Sequence, residues 1–296
     1  MATLRGAFTA LVTPMHADSS VDYDGWRKLV KYQLENGIDG LVPLGTTAET
    51  PTLDENTEED KIIEIVMEEV KSFEKKIGKK VPVVLGAGSN NTRDAVKYCE
   101  RAKKAGADAA LVVTPYYNKP SQKGMIAHFS AVAEAVNIPV ILYNIPSRTG
   151  VNMTVETAKY LTEKYENIVA IKQSFGDLDI ITDYKLALPS GVAIYSGDDS
   201  LTLPMLSVGV HGVISVASHL FGKEIKSMIR NFKTGDITTA RNMHYHLYPA
   251  MKKLFMAPNP VPVKAALAKM GIIKEYVRKP LVCLSSEEKA ELMKYI

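Results

Sequence analysis

Short apolar segments alternate with amphipathic segments along most of the chain. The apolar segments are strand-sized and rich in β-branched residues, as in IVAIKQ and PVILYN, whereas the segments between them repeat apolar residues at helical spacing. Eight such strand and helix pairs follow one another before about residue 235. Their strands begin near residues 7, 40, 81, 109, 139, 168, 192 and 212.

Strands that alternate with helices favour parallel pairing through right-handed crossovers. Eight units without a long helix-free insertion predict an α/β fold of the (β/α)8 type, a TIM barrel, with an open doubly wound sheet as the alternative. The remaining residues are typical of extra helices, and the run SSEE at residues 285–288 resembles a capping box. We therefore expect a catalytic barrel over residues 1–235 and a C-terminal helical subdomain over residues 236–296.

The charge balance argues against two classes of partner. Lysine and arginine (36) nearly match aspartate and glutamate (33), which gives a net charge of +3 with both signs interspersed. That balance is too mild for a protein that binds nucleic acid or a membrane surface. The apolar runs are too short to span a bilayer, and the N-terminal segment lacks the features of a signal peptide. We therefore expect a cytoplasmic protein.

Cysteine and histidine give no signal for a metal or redox site. Cys99 and Cys283 are far apart and outside any CxxC context, which favours two buried thiols over a disulfide. His244 and His246 are two residues apart on a predicted helix and so point to different faces. The GAG at residues 86–88 lacks the rest of a dinucleotide fingerprint. We expect no metal and no organic cofactor.

Polar residues and glycines collect where the predicted strands end. In a (β/α)8 barrel these carboxyl ends and the loops after them form the active site. The residues at these positions are Thr13, Gly45, Thr46, Thr47, Glu49, Gly86, Gly88, Asn90, Tyr116, Tyr117, Tyr143, Arg148, Lys172, Gly197, Asp198, Asp199 and Ser215.

Lys172 is the most unusual of these residues because it ends a buried strand. A partly buried amine is more often neutral near pH 7, so it can attack a carbonyl carbon and form an imine. The alternative is a lysine that reaches solvent or pairs with a nearby acid such as Asp177. Tyr143, on the neighbouring strand, can shuttle protons during imine formation, or it is a core tyrosine.

Two further features fit an anionic substrate. Arg148 can hold a carboxylate through two parallel hydrogen bonds, although an arginine in a surface loop has the same sequence pattern. The segment GTTAET offers hydroxyls and backbone N–H groups to an anion, or it is a plain strand-to-helix turn.

Six motifs together resemble the dihydrodipicolinate synthase family of the pyruvate-dependent class I aldolases and lyases. They are, in order, GTTAET, TPYYNKPSQ, YNIPSRTG, VAIKQSFGD, SGDD and GVISV, and the similarity extends to NPVPVKAAL near the C-terminus. The resemblance implies that pyruvate condenses with L-aspartate 4-semialdehyde on the diaminopimelate route to lysine. The alternatives are another pyruvate aldolase, such as an N-acetylneuraminate or sugar-acid lyase, and a non-catalytic barrel that binds a metabolite.

The resemblance also implies catalytic roles. Lys172 would form the Schiff base with pyruvate, and Tyr143 would be the general acid and base. A hydroxyl relay would run from Tyr143 through Thr47 to Tyr117, which the adjacent subunit contributes. Thr46 and Thr47 would hold the pyruvate carboxylate.

The remaining implied roles concern binding and assembly. Arg148 would hold the semialdehyde carboxylate, and the backbone near Gly197 and Ile214 would line the pocket. Arg148 and the paired tyrosines favour the synthase over the N-acetylneuraminate lyase branch. The family is typically a homotetramer built as a dimer of dimers. A possible allosteric pocket for lysine would involve Asn90, Asp94 and Tyr116.

Three positions depart from the family pattern. Ala48 replaces a glycine of GTTGE, which predicts strain if that position needs a positive φ. Gln173 replaces a glutamate, and strand alternation predicts that its side chain faces away from that of Lys172. Phe175 replaces a small residue in the turn that follows.

Overall fold

The computed structural model describes residues 4–296. Eight strands lie where the apolar segments predicted them. They are β1 (Gly6–Ala10), β2 (Gly40–Val42), β3 (Val84–Gly86), β4 (Ala109–Val113), β5 (Val140–Asn144), β6 (Ile168–Gln173), β7 (Ala193–Ser196) and β8 (Gly212–Ser215).

Helices follow each strand and continue to the C-terminus. They are α1 (Tyr23–Glu35), α2 (Glu58–Ile77), α3 (Thr92–Ala105), α4 (Gln122–Ala135), α5 (Pro146–Thr149), α6 (Val155–Lys164), α7 (Leu178–Ala187), α8 (Thr202–Ser207), α9 (Ser218–Lys233), α10 (Ile237–Lys253), α11 (Val261–Lys269) and α12 (Ser286–Leu292). None of the helices in the described part of the chain is long and apolar enough to cross a membrane.

The strands belong to one eight-stranded sheet in the order β2-β1-β8-β7-β6-β5-β4-β3. Strand β1 pairs in parallel with β2, and β3 to β8 pair in parallel with their sequential neighbours. This strand order, with a helix after each strand and three more helices at the C-terminus, confirms the predicted (β/α)8 fold class with a helical extension.

The chain divides into two compact units. The first unit contains residues 4–6 and Pro82–Ile214, and the second contains Ala7–Val81 and Ser215–Ile296. In the first unit, strands β3 to β8 are almost wholly buried. Parallel strands buried on both faces carry continuous apolar runs, and that is why these strands could be located from the sequence.

In the second unit a buried histidine joins three elements. His219 Nε2 accepts the backbone N–H of Val12, after β1, over 3.2 Å. Its Nδ1–H donates to the carbonyl of Val216 over 2.9 Å, and Gln33 of α1 donates to the carbonyl of His219 itself over 3.0 Å. The His219 imidazole is therefore neutral, and each of its two ring nitrogens makes a hydrogen bond.

The helix ends follow local signals in the sequence. Asp22 caps α1, and Gly37 and Gly106 follow α1 and α3 with φ values of 73° and 79°. Ser285 and Glu288 form the predicted capping box at the start of α12.

One expectation about cysteine is wrong. Cys99 is buried, but Cys283 is exposed in the stretch between α11 and α12. Free cysteines are commonly buried, but the stretch that carries Cys283 contains no helix or strand. The predicted boundary at residue 235 stays a prediction.

Candidate active site

Lys172 and Tyr143 form a buried pair in the first unit. They lie opposite each other in the register of β6 and β5. The Lys172 Nζ atom lies 4.0 Å from the centroid of the Tyr143 ring, and each residue is 6% exposed. The amine is thus mostly shielded from water and sits over the face of an aromatic ring. The structure brings together the two residues to which the sequence assigned imine chemistry.

Gly197 makes room for the Lys172 side chain. A Cβ atom at Gly197 would lie 2.8 Å from Lys172 Cε and 1.8 Å from Ser174 Oγ. Contacts that short do not occur between real atoms, so any larger residue at position 197 would displace the Lys172 and Ser174 side chains. The predicted pocket residue Gly197 therefore adjoins the amine-bearing chain. Ile214, the other predicted lining residue of this unit, is buried on β8.

Asp177 does not act as the ion-pair partner considered for Lys172. Its carboxylate caps α7 by accepting the backbone N–H groups of Asp179 and Ile180 over 2.9 and 3.3 Å. A carboxylate held at a helix N-terminus is already stabilised there.

Gln173 lies on the face of β6 opposite to Lys172, as strand alternation predicted. The Gln173 Oε1 atom accepts a hydrogen bond from Asn144 Nδ2 over 3.0 Å. Asn144 Nδ2 also donates to Asn152 Oδ1 over 2.7 Å. Asn144 Oδ1 in turn accepts the backbone N–H of Met153 over 3.0 Å. The glutamine belongs to a buried network that ties β5 and β6 to the segment before α6. Phe175 lies beyond this network with its ring partly exposed.

Arg148 occupies α5, the single helical turn that follows β5. Its side chain is exposed, and its backbone N–H donates to the carbonyl of Ile145 over 3.0 Å. The strand that carries Tyr143 thus leads within five residues to an exposed guanidinium. A proline at the start of this turn and Gly150 at its end, with φ of 73°, fix its short length.

The Thr46–Thr47 segment in the second unit forms a 3₁₀ turn that ends at Ala48. Thr46 is exposed, whereas Thr47 is buried and its Oγ1 accepts from Asn259 Nδ2 over 2.9 Å. The left-handed residue of the turn is Glu49, with φ of 57°, and not Ala48. Alanine therefore replaces glycine at position 48 without backbone strain.

Glu49 is held from two sides by the C-terminal part of the second unit. Lys264 Nζ lies 2.8 Å from Glu49 Oε1, and both side chains are almost completely buried. The backbone N–H of Arg278 donates to Glu49 Oε2 over 2.9 Å. Burial lowers the pKa of Lys264, and the carboxylate of Glu49 opposes that effect. Asn259 and Lys264 were not among the predicted site residues, although a lysine inside the apolar helix VPVKAALAK is a visible signal.

Two of the three residues predicted for an allosteric pocket, Asn90 and Tyr116, lie on neighbouring loops of the first unit. The carbonyl of Asn90 accepts from Asn118 Nδ2 over 2.9 Å, and the backbone N–H of Asn118 donates to the carbonyl of Tyr116 over 2.9 Å. Asn118 thus links the loop after β3 to the loop after β4. Asp94 lies in the first turn of α3.

Tyr117, between Tyr116 and Asn118, is 90% exposed and has φ of 71°. A positive φ is unusual for an aromatic residue, so the loop holds this ring outward at a conformational cost.

A sequence model of the Dihydrodipicolinate synthetase family matches residues 3–296. The match confirms the resemblance that the six motifs indicated. Among similar sequences, a 4-hydroxy-tetrahydrodipicolinate synthase of Bacillus velezensis is 47% identical over 289 residues, which cover 97% of this chain and 96% of the relative.

Solved structures of the same name superpose over nearly the whole chain. The dihydrodipicolinate synthase from Aquifex aeolicus aligns with a TM-score of 0.93 and 41% identity, and covers 98% of this chain and 96% of its own. DHDPS from Cyanidioschyzon merolae, crystallised with lysine bound, also aligns with a TM-score of 0.93 and 41% identity. It covers 98% of this chain and 96% of its own.

Proposed function

Because the chain belongs to the Dihydrodipicolinate synthetase family, we propose that it is a lyase that condenses pyruvate with L-aspartate 4-semialdehyde. The product is 4-hydroxy-tetrahydrodipicolinate, and the reaction belongs to the diaminopimelate route to lysine. The observation that carries the proposal is the buried Lys172 amine 4.0 Å from the Tyr143 ring centroid. A protein that only binds a metabolite has no need for an amine and a phenol in this arrangement.

In the first half of the reaction, the Lys172 amine attacks C2 of pyruvate and forms a carbinolamine. Tyr143 gives a proton to the departing hydroxyl, water leaves, and a protonated imine remains. The imine withdraws electrons, so the pyruvate methyl gives a proton back to Tyr143 and the protonated imine becomes a neutral enamine. The face of the Tyr143 ring favours the positive charge of the imine next to it.

In the second half, the enamine carbon attacks the aldehyde carbon of the semialdehyde, and the aldehyde oxygen takes up a proton from Tyr143. The amine of the semialdehyde then attacks C2 and displaces Lys172 as the ring closes. The bond between Lys172 and C2 breaks in this step, so the lysine is free to react with another pyruvate. Gly197 supports this cycle because it leaves space for the lysine side chain.

Two segments supply the carboxylate contacts in this proposal. Thr46 and Thr47 hold the carboxylate of pyruvate, and the Thr47 hydroxyl passes protons between Tyr143 and Tyr117. Arg148 binds the carboxylate of the semialdehyde, a role that its exposed position after β5 supports. Ile214 and the backbone of Gly197 line the pocket.

The exposed Tyr117 supports a homotetramer built as a dimer of dimers, in which this ring enters the site of the adjacent subunit. We place the enzyme in the cytoplasm, with a catalytic barrel at residues 1–235 and a helical subdomain at residues 236–296. The linked loops of Asn90 and Tyr116, together with Asp94, are where an allosteric pocket for lysine would lie. The relative from Cyanidioschyzon merolae, solved with lysine bound, supports a lysine site in this family.

Trapping with borohydride tests the chemistry directly. Incubation with pyruvate and borohydride is expected to add one reduced pyruvyl group to the peptide that contains Lys172, and Lys172→Arg is expected to abolish it. Absence of the adduct in the parent protein contradicts any imine mechanism. A coupled assay with L-aspartate 4-semialdehyde, compared with N-acetylneuraminate and sugar acids, then identifies the second substrate. Turnover of a sugar acid alone would place the chain in another branch of these aldolases.

A further inference from the structure

Asn259 makes a contact for which sequence reasoning gave no role. Its Nδ2 donates to Thr47 Oγ1 over 2.9 Å, across 212 positions of sequence. Thr47 is 4% exposed and Asn259 is 8% exposed, so water competes little for this hydrogen bond. Both residues belong to the second unit.

The direction of this hydrogen bond restricts what the Thr47 hydroxyl can do. A threonine hydroxyl has one proton to donate and two lone pairs to accept with. Because Asn259 donates an N–H, one lone pair of Thr47 Oγ1 is occupied. The hydroxyl proton must then point away from the amide, toward another acceptor. The asparagine therefore sets the direction in which Thr47 donates.

Only one half of the Asn259 amide has a partner within the described residues. Within residues 4–296, the buried Oδ1 atom of Asn259 has no hydrogen-bond partner. A buried acceptor without a partner lowers the stability of the folded state, so such groups call for another reason. The donor half of the amide, which contacts Thr47, provides one.

The segment that carries Asn259 is also anchored to the Thr46–Glu49 turn at a second point. Asn259 lies two residues before α11, and Lys264 of α11 pairs with Glu49 over 2.8 Å. The turn is thus held at position 47 by the amide and at position 49 by the ammonium group. Two fixed contacts on one short turn leave the Thr47 hydroxyl little freedom to move.

We propose that Asn259 is a positioning residue that directs the proton of the Thr47 hydroxyl during the reaction. The inference rests on the proposed function, in which Thr47 relays protons. Asn259 does not touch the substrate in this proposal. It acts only through the direction and position of the threonine hydroxyl.

A double-mutant comparison tests the coupling. Asn259→Ala is expected to lower kcat about tenfold, the effect of one lost hydrogen bond in the reaction. Thr47→Val is expected to lower kcat further, and adding Asn259→Ala to it should cost no more. Asn36→Ala, which removes another side-chain amide bond of the second unit, is the matched control and should keep the parental kcat.

Asn259→Asp gives a second readout that a structural role does not produce. An ionised carboxylate can only accept a hydrogen bond, so the Thr47 hydroxyl would point its proton toward residue 259. The protonated acid can still donate to Thr47, as the asparagine does. The kcat of this variant relative to the parent is therefore expected to rise as pH falls through the titration of the new carboxyl group. The Glu49–Lys264 pair beside the turn is the same in both proteins, so their ratio isolates the new group.

The two proposals fail in different ways. If the parent protein forms no pyruvate adduct, the proposed function fails before Asn259 is tested. If the parent and Thr47→Val behave as expected but Asn259→Ala and Asn259→Asp match Asn36→Ala in kcat, only the role of Asn259 is overturned. Equal losses of Asn259→Ala in the presence and absence of Thr47→Val would likewise overturn it. Thermal unfolding of every variant confirms that folded proteins are compared.

Discussion

The burial of Lys172 is unfavourable by itself, and its neighbours Tyr143 and Gly197 explain why it is tolerated. An ammonium group at the end of a buried strand loses hydration, but the face of the Tyr143 ring lies 4.0 Å from Nζ and offsets part of that loss. The same ring face suits the protonated imine that replaces the amine in the proposed reaction. Gly197 completes the arrangement because it contributes no atom where the lysine passes.

Gly197→Ala is expected to block the lysine. The added methyl group would lie 2.8 Å from Lys172 Cε and 1.8 Å from Ser174 Oγ, so both side chains must move. We expect the rate of pyruvate adduct formation, followed by mass spectrometry after borohydride, to fall by at least about tenfold, because small displacements of reacting groups are costly.

The matched control for this change is Gly191→Ala. A Cβ atom at Gly191 meets no heavy atom within 4 Å, and its backbone is not in the left-handed region. This variant should form the adduct at the parental rate. Equal rates for Gly197→Ala and the parent would show that the lysine does not need the space beside it.

At the scale of elements, local signals account for what the sequence predicted well. The helix that begins after Asp22 and ends before Gly37 has both of its end signals within a few residues of the chain. The (β/α)8 class followed from the alternation of such segments. The lysine, tyrosine and glycine of the candidate site were found because each stands at a strand end, a position that the pattern reveals.

The Thr46–Glu49 turn could not be predicted in the same way. Its conformation depends on Asn259 and Lys264, which are more than 200 positions away in the sequence. The expectation of strain at Ala48 assumed that the left-handed residue was at position 48, whereas it is Glu49. Only the folded chain shows that a distant ammonium group holds the carboxylate of that residue.

Lys264→Met is expected to weaken the fold of the second unit. It leaves the carboxylate of Glu49 buried without the ammonium that neutralises it, and broken buried pairs cost about 3–5 kcal/mol. Chemical denaturation should therefore show a loss of that size in the free energy of unfolding. Adding Glu49→Gln should restore part of the loss, because the double variant has no buried charge at this site.

Lys61→Met is the control for this prediction. Its partner Glu64 and Lys61 itself are about half exposed, and such surface pairs contribute about 0–1 kcal/mol. A loss for Lys264→Met that is no larger than the loss for Lys61→Met would mean that the buried pair contributes nothing to stability.

For the whole molecule, two buried histidines predict a loss of stability in acid. Burial lowers the pKa of His128 and of His219 from 6.5 to about 4. Between about pH 4 and 6.5 the unfolded chain therefore binds more protons than the folded protein, so the free energy of unfolding falls as pH decreases. The full effect of each histidine is on the order of 3 kcal/mol. Protonation of His219 Nε2 would also remove the acceptor of the Val12 N–H.

His219→Gln is expected to reduce this acid sensitivity, because glutamine carries no titrating group. Denaturant unfolding at several pH values between 6.5 and 4 should show that the free energy of unfolding changes less steeply with pH in this variant than in the parent. His246→Gln, at an exposed position of α10, should keep the parental slope. If His219→Gln keeps it as well, the acid dependence comes from other groups.

In the proposed dimer of dimers, the exposed ring of Tyr117 enters the site of the adjacent subunit. If this ring completes the site of an adjacent subunit, two inactive variants can complement each other. Lys172→Ala lacks the amine but presents an intact Tyr117, and Tyr117→Phe keeps the amine but lacks the hydroxyl. Coexpression of the two should produce mixed dimers with one complete site, and about a quarter of the parental activity overall for random pairing. Each variant expressed alone is the control.

If Tyr117 serves its own subunit instead, every site in a mixed dimer lacks one group, and activity will not exceed that of the two variants mixed after purification.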